Sequence, residues 1–306
     1  MTDEVPQCEQ DPSPAQYREH RRPQPRLQHV PEGPEVRRVA DQLAKVLVNR
    51  PLNAVWFRFP QLQAQAASLL SSPIRDVRSW GKALLIEFDD GRTLYSHNQL
   101  YGRWFVCKAG TRPATNRDLR VVLETATHAA LLYSASEIDL LQPGAWQVHP
   151  FLGRLGPDVF AASTTPAFLR RRLLSPRFAK RALGGLLMDQ QFLAGLGNYL
   201  RSEILFAAGV HPDRRAGDLD DATIALLARQ IPAMARRAYL TAGETAPKAW
   251  VRARKAAGRP HRACRHLVFE REEEPCAACG TSIRRVDYSG RRLYLCPTCQ
   301  PEPLKP

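Results

Sequence analysis

Two Cys-x2-Cys pairs near the C-terminus restrict the fold of this chain more than any other feature. They are Cys276 with Cys279 and Cys296 with Cys299, and sixteen residues separate the pairs. Each pair forms a tight knuckle whose thiolates converge. Two knuckles at the ends of a hairpin of this length make a tetrahedral all-thiolate site. The intervening RRVDYSGRRLYL reads as strand, Ser-Gly turn, strand. A closed four-cysteine site predicts one structural Zn2+ with no open coordination position. Any chemistry therefore belongs to the hairpin that the metal braces, which carries Arg284, Arg285, Arg291 and Arg292. Those arginines are either a solvated charged face or contacts to phosphate, and the basic setting favours phosphate.

The other cysteines, Cys8, Cys107 and Cys264, are scattered, and the total of seven is odd. A disulfide framework is excluded. One metal site plus free thiols in a reducing compartment is the expectation. The N-terminus has early acids and no apolar core, so it is no signal peptide. No apolar run approaches the length of a spanning helix. A cytoplasmic protein with no membrane partner follows.

Charge narrows the partner. Lys and Arg number 44 against 30 Asp and Glu, a net charge of +14 in 306 residues. Such a surplus favours a polyanion, above all nucleic acid. Residues 1–30 carry five acids and four arginines, so the surplus belongs to the rest of the chain. That first stretch is polar, rich in Pro and Gln, and lacks apolar periodicity, so a disordered extension is expected.

At Pro31 the texture changes. In PEGPEVRRVADQLAKVL, Pro34 suits a first helical turn, and Val36, Val39, Leu43, Val46 and Leu47 recur at helical spacing. Short β-rich runs follow at 52–59, 74–80, 83–88, 92–97, 103–107, 119–125 and 129–134, with a hairpin signal at Asp90-Gly91. Many short strands at this spacing predict a β-sandwich. From Thr165 to Tyr239 the pattern is helical, with Gly209 closing one helix and Asp220 or Asp221 capping the next. Residues 241–268 are rich in Arg, Ala and Gly and read as a basic linker. The fold class expected is therefore α+β and multi-domain: a sandwich domain over 31–155, a helical module over 156–240, the linker, a zinc-finger hairpin over 269–300, and a tail over 301–306.

Four smaller motifs are ambiguous alone. The turn LAGLGN before a helix either permits close packing or presents backbone N–H groups to an anion. Gln99-Leu100-Tyr101 reads as a half-buried hairpin end, or as an apolar wedge that fills the hole left by an extruded base. PEGPE is by itself a capped helix start. Lys82 in WGKALL begins a strand, where most lysines are solvated.

Taken together and in order, PEGPEVRRVADQL, WFRFPQL, WGKALL, LYSHNQLYGRW, LLYSASEID, HPFLGRLGPDV, LLSPRF, LAGLGNYLRSEIL and the two cysteine pairs closely resemble the formamidopyrimidine-DNA glycosylase/endonuclease VIII family. The resemblance runs from Pro31 to about Gln300 and is weakest over 211–268. It implies a base-excision-repair glycosylase with AP-lyase activity, expected to act as a monomer on double-stranded DNA containing oxidised bases or abasic sites. It also implies that the helical module is a helix–two-turn–helix. Carried over by motif, Pro31 is the Schiff-base nucleophile and Glu32 the acid/base. Lys82 is the proton donor and phosphate ligand of β-elimination, and Arg291 is the finger arginine of δ-elimination. Gln99, Leu100 and Tyr101 match the void-filling loop, and Arg154 and Asn198 match DNA contacts. Gly33 within PEGPE, with the WFRFPQL and QLYG blocks, resembles the endonuclease VIII branch, hence oxidised pyrimidines as substrates.

The chain departs from this family in one respect. The family's proline is the first residue after methionine removal, and here thirty residues precede it. A proline inside a chain is a tertiary amide with no nucleophilic lone pair. Position 30 is Val, and a GTG codon encodes Val internally but can also initiate translation. The expectation is a start at that codon, with removal of the initiator exposing Pro31. If Pro31 stays capped, the alternatives are proteolytic unmasking or a non-catalytic damaged-DNA-binding protein. A bare zinc-ribbon binder would leave the other motifs idle.

Overall fold

The computed structural model describes residues 30–303. The expected extension up to His29 and the last residues of the tail lie outside the described residues. The chain opens with helix α1 (Gly33–Leu47), strand β1 (Leu52–Phe57) and two short helices, α2 (Pro60–Gln63) and α3 (Ala66–Leu70). Seven strands follow: β2 (Ile74–Trp80), β3 (Ala83–Phe88), β4 (Thr93–His97), β5 (Arg103–Lys108), β6 (Leu119–Thr125), β7 (His128–Tyr133) and β8 (Glu137–Leu141). With β1 they form two four-stranded antiparallel sheets, ordered β1-β6-β7-β5 and β2-β3-β4-β8.

The period-two alternation explains how both faces are used. Leu84, Ile86 and Phe88 of β3 join Ala130 and Leu132 of β7 in one core between the sheets. Ala83 and Leu85 point the other way, onto Tyr95 and Leu152. Helix α1 adds Val36, Ala40, Leu43 and Leu47 to the inter-sheet core, as its spacing predicts. Truncating a fully buried leucine there, such as Leu43, should cost about 2–5 kcal/mol. Strand β8 was not among the expected runs. It is a partly exposed edge whose Glu137 and Asp139 break the apolar pattern.

The helical part comprises α4 (Pro166–Leu173), α5 (Leu183–Leu186), α6 (Asn198–Ala207) and α7 (Asp221–Leu240). Asp220 caps α7, its carboxylate accepting from the Thr223 amide at 2.8 Å. Gly209, at φ +66°, ends α6. The stretch read as a linker contains a further helix, α8 (Lys248–Ala256), and buries Thr245, Ala246, Val251, Cys264 and His266. Its packing is polar as well as apolar: the guanidinium groups of Arg254 and Arg271 lie 5.1 and 4.8 Å from the ring centre of Trp250.

The finger is the hairpin of β9 (Arg284–Tyr288) and β10 (Arg291–Leu295), turning at Ser289 and Gly290, both at positive φ. It is no appendage. Ile283, Leu293, Tyr294 and Leu295 are buried in the same core as α6 and α7. Among the described residues no helix is long and apolar enough to cross a membrane.

Candidate active site and DNA interface

Three glycines bring the two halves of the molecule into backbone contact. The Gly33 amide donates to the Gly195 carbonyl at 2.8 Å. A Cβ on Gly33 would stand 2.8 Å from that oxygen, and one on Gly81 would stand 2.9 Å from the Ala194 side chain. Gly195 itself sits at φ +104°, a conformation open to glycine. Gln190 holds the turn, accepting from the Gly195 amide at 3.0 Å and donating to the Leu196 carbonyl at 2.9 Å. Gly81 donates to Asp158 at 2.5 Å.

This close approach carries Glu32 to the first turn of α6. Its Oε1 accepts the Tyr199 amide at 2.8 Å and its Oε2 the Leu200 amide at 3.3 Å. The helix start that follows the LAGLGN turn thus presents its N–H groups to an acceptor, and that acceptor is a carboxyl group of the protein itself. Gly197 makes this possible, because a Cβ there would lie 2.3 Å from the Glu32 carboxyl carbon. Burial raises the Glu32 pKa to about 8, against the opposing pull of Lys82 and of the two amides. Glu35, one helical turn on, accepts from the Glu32 amide at 3.0 Å and from the Tyr199 hydroxyl at 3.0 Å. Burial raises its pKa too.

Lys82 follows Gly81 at the start of β3. Burial lowers its pKa, partly offset by the charge of Glu32, and Arg291 lowers it further. The exposed Arg291 begins β10 at the tip of the finger hairpin. The structure therefore brings Glu32, Lys82 and Arg291 into one electrostatic neighbourhood, beside the half-buried Pro31. Asn198, at the first position of α6, is tied to the same assembly through Arg201. That buried guanidinium donates to the Asn198 side chain at 2.6 Å, to the Gly184 carbonyl at 3.0 Å, and to the Arg292 carbonyl of the finger at 3.2 Å. Burial lowers its pKa to about 10.

The residues 98–102 make a tight turn. The Gly102 amide donates to the Asn98 carbonyl at 2.7 Å, and a Cβ on Gly102 would clash with Asn98. Gln99, at φ +45°, hydrogen-bonds Glu137 and Ser136. Leu100 and Tyr101 at the apex are 51% and 65% exposed, large side chains held out from a stiff turn. A cleft of about 320 Å³ runs from Leu100 to the start of α1, lined by Pro31, Glu35, Asn98, Leu100, Arg103 and Arg117 among others. Arg154 is elsewhere: it lines a separate cleft at the domain junction.

In the finger, the Cys276 and Cys299 sulfurs are 3.9 Å apart, those of Cys279 and Cys296 3.4 Å, and all four lie within 4.8 Å of one another. A tetrahedral zinc with thiolate bonds of about 2.3 Å places its sulfurs about 3.8 Å apart, so the four residues fit the metal. They hold a single structural zinc.

Sequence reasoning missed Glu35, Tyr199 and Arg201. The second acid of PEGPE read as helix-start chemistry. An arginine and a glutamate inside the apolar run NYLRSEILF were the available signal for α6.

A β-sandwich joined through glycines to a helical module and a zinc hairpin, with a buried acid and lysine at the junction, is the architecture of a DNA glycosylase. The chain belongs to the formamidopyrimidine-DNA glycosylase/endonuclease VIII family. The family model for the formamidopyrimidine-DNA glycosylase N-terminal domain matches residues 30–136. The model of the glycosylase's H2TH domain matches 155–248, and that of the zinc finger found in FPG and IleRS matches 273–301. Endonuclease 8 of Escherichia coli is 46% identical over 272 residues, which cover 89% of this chain and 100% of the relative; the protein of strain HS matches to the same extent. Among solved structures, MutM in complex with DNA containing carbocyclic 8-oxo-G shares the fold, with TM-score 0.71 and 22% identity over 89% of this chain and 100% of that one. Lactococcus lactis formamidopyrimidine-DNA glycosylase bound to DNA with an AP site gives TM-score 0.70 and 21% identity at the same coverage.

Proposed function

We propose that this DNA glycosylase/AP lyase of base-excision repair acts on oxidised pyrimidines and cuts the strand by successive β- and δ-elimination, once Pro31 is the first residue of the chain. The observation that carries the reading is Glu32: a buried carboxyl group next to Pro31, held by the Tyr199 and Leu200 amides, whose pKa burial raises to about 8 against the pull of Lys82. At neutral pH such a group holds a proton, which a departing base requires.

The free secondary amine of Pro31 attacks C1′ of the everted nucleotide. The glycosidic bond breaks as the base leaves with a proton; the amine then loses its own proton, and the C1′–O4′ bond opens, its oxygen taking up a proton from Glu32, to leave an iminium between the proline nitrogen and C1′. The iminium accepts electrons, so loss of a C2′ proton expels the 3′ phosphate; a second elimination expels the 5′ phosphate. Lys82, Asn198 and Arg291 hold those phosphates, and the positive end of α1 keeps the proline amine in its neutral form. Gln99, Leu100 and Tyr101 fill the space that the nucleotide vacates, and Arg154 contacts the strand.

The alternative of a non-catalytic DNA-binding protein finds no support among relatives that are enzymes. Borohydride trapping tests the reading. Protein beginning at Pro31 should form a covalent adduct with a duplex containing thymine glycol, and the chain capped by residues 1–30 should not. No adduct from the uncapped protein would overturn the Schiff-base assignment.

A further inference from the structure

A second cleft, of about 560 Å³, opens on the other side of the Trp80-Gly81-Lys82 turn. Trp80, Gly153, Arg154, Leu155, Gly156, Pro157, Arg172, Arg177 and Gln191 line it. Three of these are arginines, Arg154 from one stretch of chain and Arg172 and Arg177 from another, and no lining residue is acidic. Each guanidinium is steered by a neutral acceptor. Arg172 donates to the Phe192 carbonyl at 2.6 Å and the Gln191 carbonyl at 2.8 Å. Arg177 donates to the Gln191 side chain at 2.8 Å, and Arg154 to the Pro150 carbonyl at 2.6 Å. The ring of Phe178 supports Arg172 and Arg177 at 4.9 and 5.2 Å.

Carbonyl and amide partners orient a guanidinium without cancelling its charge. Asp189 faces Arg172, but its carboxylate is engaged by Arg181 at 2.6 Å. Arg177 acts on Arg172 as a like charge, lowering its pKa alongside burial. The fold thus holds converging positive charges against their repulsion, which an anion between them would relieve. Trp80, its indole fixed to the Gly156 carbonyl at 3.1 Å, forms a wall two residues from Lys82.

We propose that this cleft is a second phosphate site, which holds a phosphodiester of the bound DNA strand away from the reacting nucleotide, with Arg172 and Arg177 acting beside Arg154. The inference rests on DNA being the substrate. A broad, solvent-open cleft lined by guanidinium forks suits a polymer backbone, whose phosphates present paired oxygens. The site adds grip on the strand and carries no base specificity.

The test uses the full chain and a duplex with a tetrahydrofuran abasic analogue. Arg177→Ala should weaken binding roughly 3- to 10-fold at moderate salt and lower the slope of log K against log salt by about 1. Arg177→Lys should keep the slope. Unchanged slope in Arg177→Ala, whatever its thermal stability, overturns the proposal. Trimming the duplex stepwise from each end should abolish the difference between wild type and variant at one defined length. A difference that survives on the shortest bound duplex overturns it as well. Competition by deoxyadenosine monophosphate at micromolar concentration, lost in Arg177→Ala, would make the occupant a free nucleotide and refute the backbone assignment. Absence of any lesion-duplex binding by wild type would instead strike at the function proposed above.

Discussion

The Glu32 carboxylate and the Tyr199 amide are 167 positions apart in sequence and 2.8 Å apart in space. The contact requires an unsubstituted Gly197, whose added Cβ would sit 2.3 Å from the Glu32 carboxyl carbon. Gly197→Ala should therefore displace the acid and slow base release by roughly a hundredfold or more. Single-turnover excision from thymine-glycol duplex, with thermal unfolding alongside, measures this. A wild-type excision rate would remove the contact from the mechanism.

The raised pKa of Glu32 also sets a pH dependence. The protonated form is the acid, so base excision should decline as pH rises through about 8. Stability follows the same sign. The folded carboxyl binds its proton more tightly than the unfolded one, so its stabilisation is full below about pH 4.5 and fades as pH rises to about 8. Glu32→Gln should show a flatter stability profile across that window. A wild-type profile in the variant would mean that other groups titrate there.

Leu100 tests the wedge. Held out at 51% exposure, it contributes little to the core. Leu100→Ala should leave thermal stability within about 0.5 kcal/mol and cost roughly tenfold on duplex substrate, with far less effect on single strands. Equal losses on both substrates would exclude void filling.

Arg291 and the zinc act at different levels. Arg291→Ala should weaken DNA engagement and the second elimination while the fold persists, because the side chain is exposed. Chelation should be more drastic: the finger buries Ile283, Leu293 and Leu295 against the helical module. Strand-cleavage products on a denaturing gel separate β- from δ-elimination. Normal δ-product from Arg291→Ala would discard its assigned role.

The proposed mechanism requires a free amine on Pro31. Intact mass of protein from its own host should show a species beginning at Pro31, and Pro31→Gly in that species should sharply reduce lyase action. Unaltered strand cleavage by the glycine variant would remove Pro31 as the nucleophile.

The strands, the cysteine pairs and the capped helices were legible because each follows from local periodicity or spacing. Strand β8 was not, since Glu137 and Asp139 on an exposed edge erase the alternation. Helix α8 was hidden by its composition: Lys248, Arg252, Arg254 and Lys255 mask a single buried Val251. In the site, glycines announced that something comes close without saying what. That the acceptor at the helix start after LAGLGN is Glu32 depends on a contact between distant segments, which no local pattern encodes. The Asn198–Arg201–Arg292 linkage is hidden for the same reason.

At Gly33 and Gly195 the seam is main chain against main chain, and beside it Gly81 packs on Ala194. At Gly33 its width is set by a backbone hydrogen bond and backbone contact, so no side chain stands there whose replacement could gradually widen or narrow it. The spacing between proline, acid and lysine is correspondingly insulated from change elsewhere. The loop at Gln99–Tyr101 and the arginine cleft lie outside that seam and are free to vary. Such a molecule can acquire new lesion preferences by altering its rim while the chemistry at its centre stays the same.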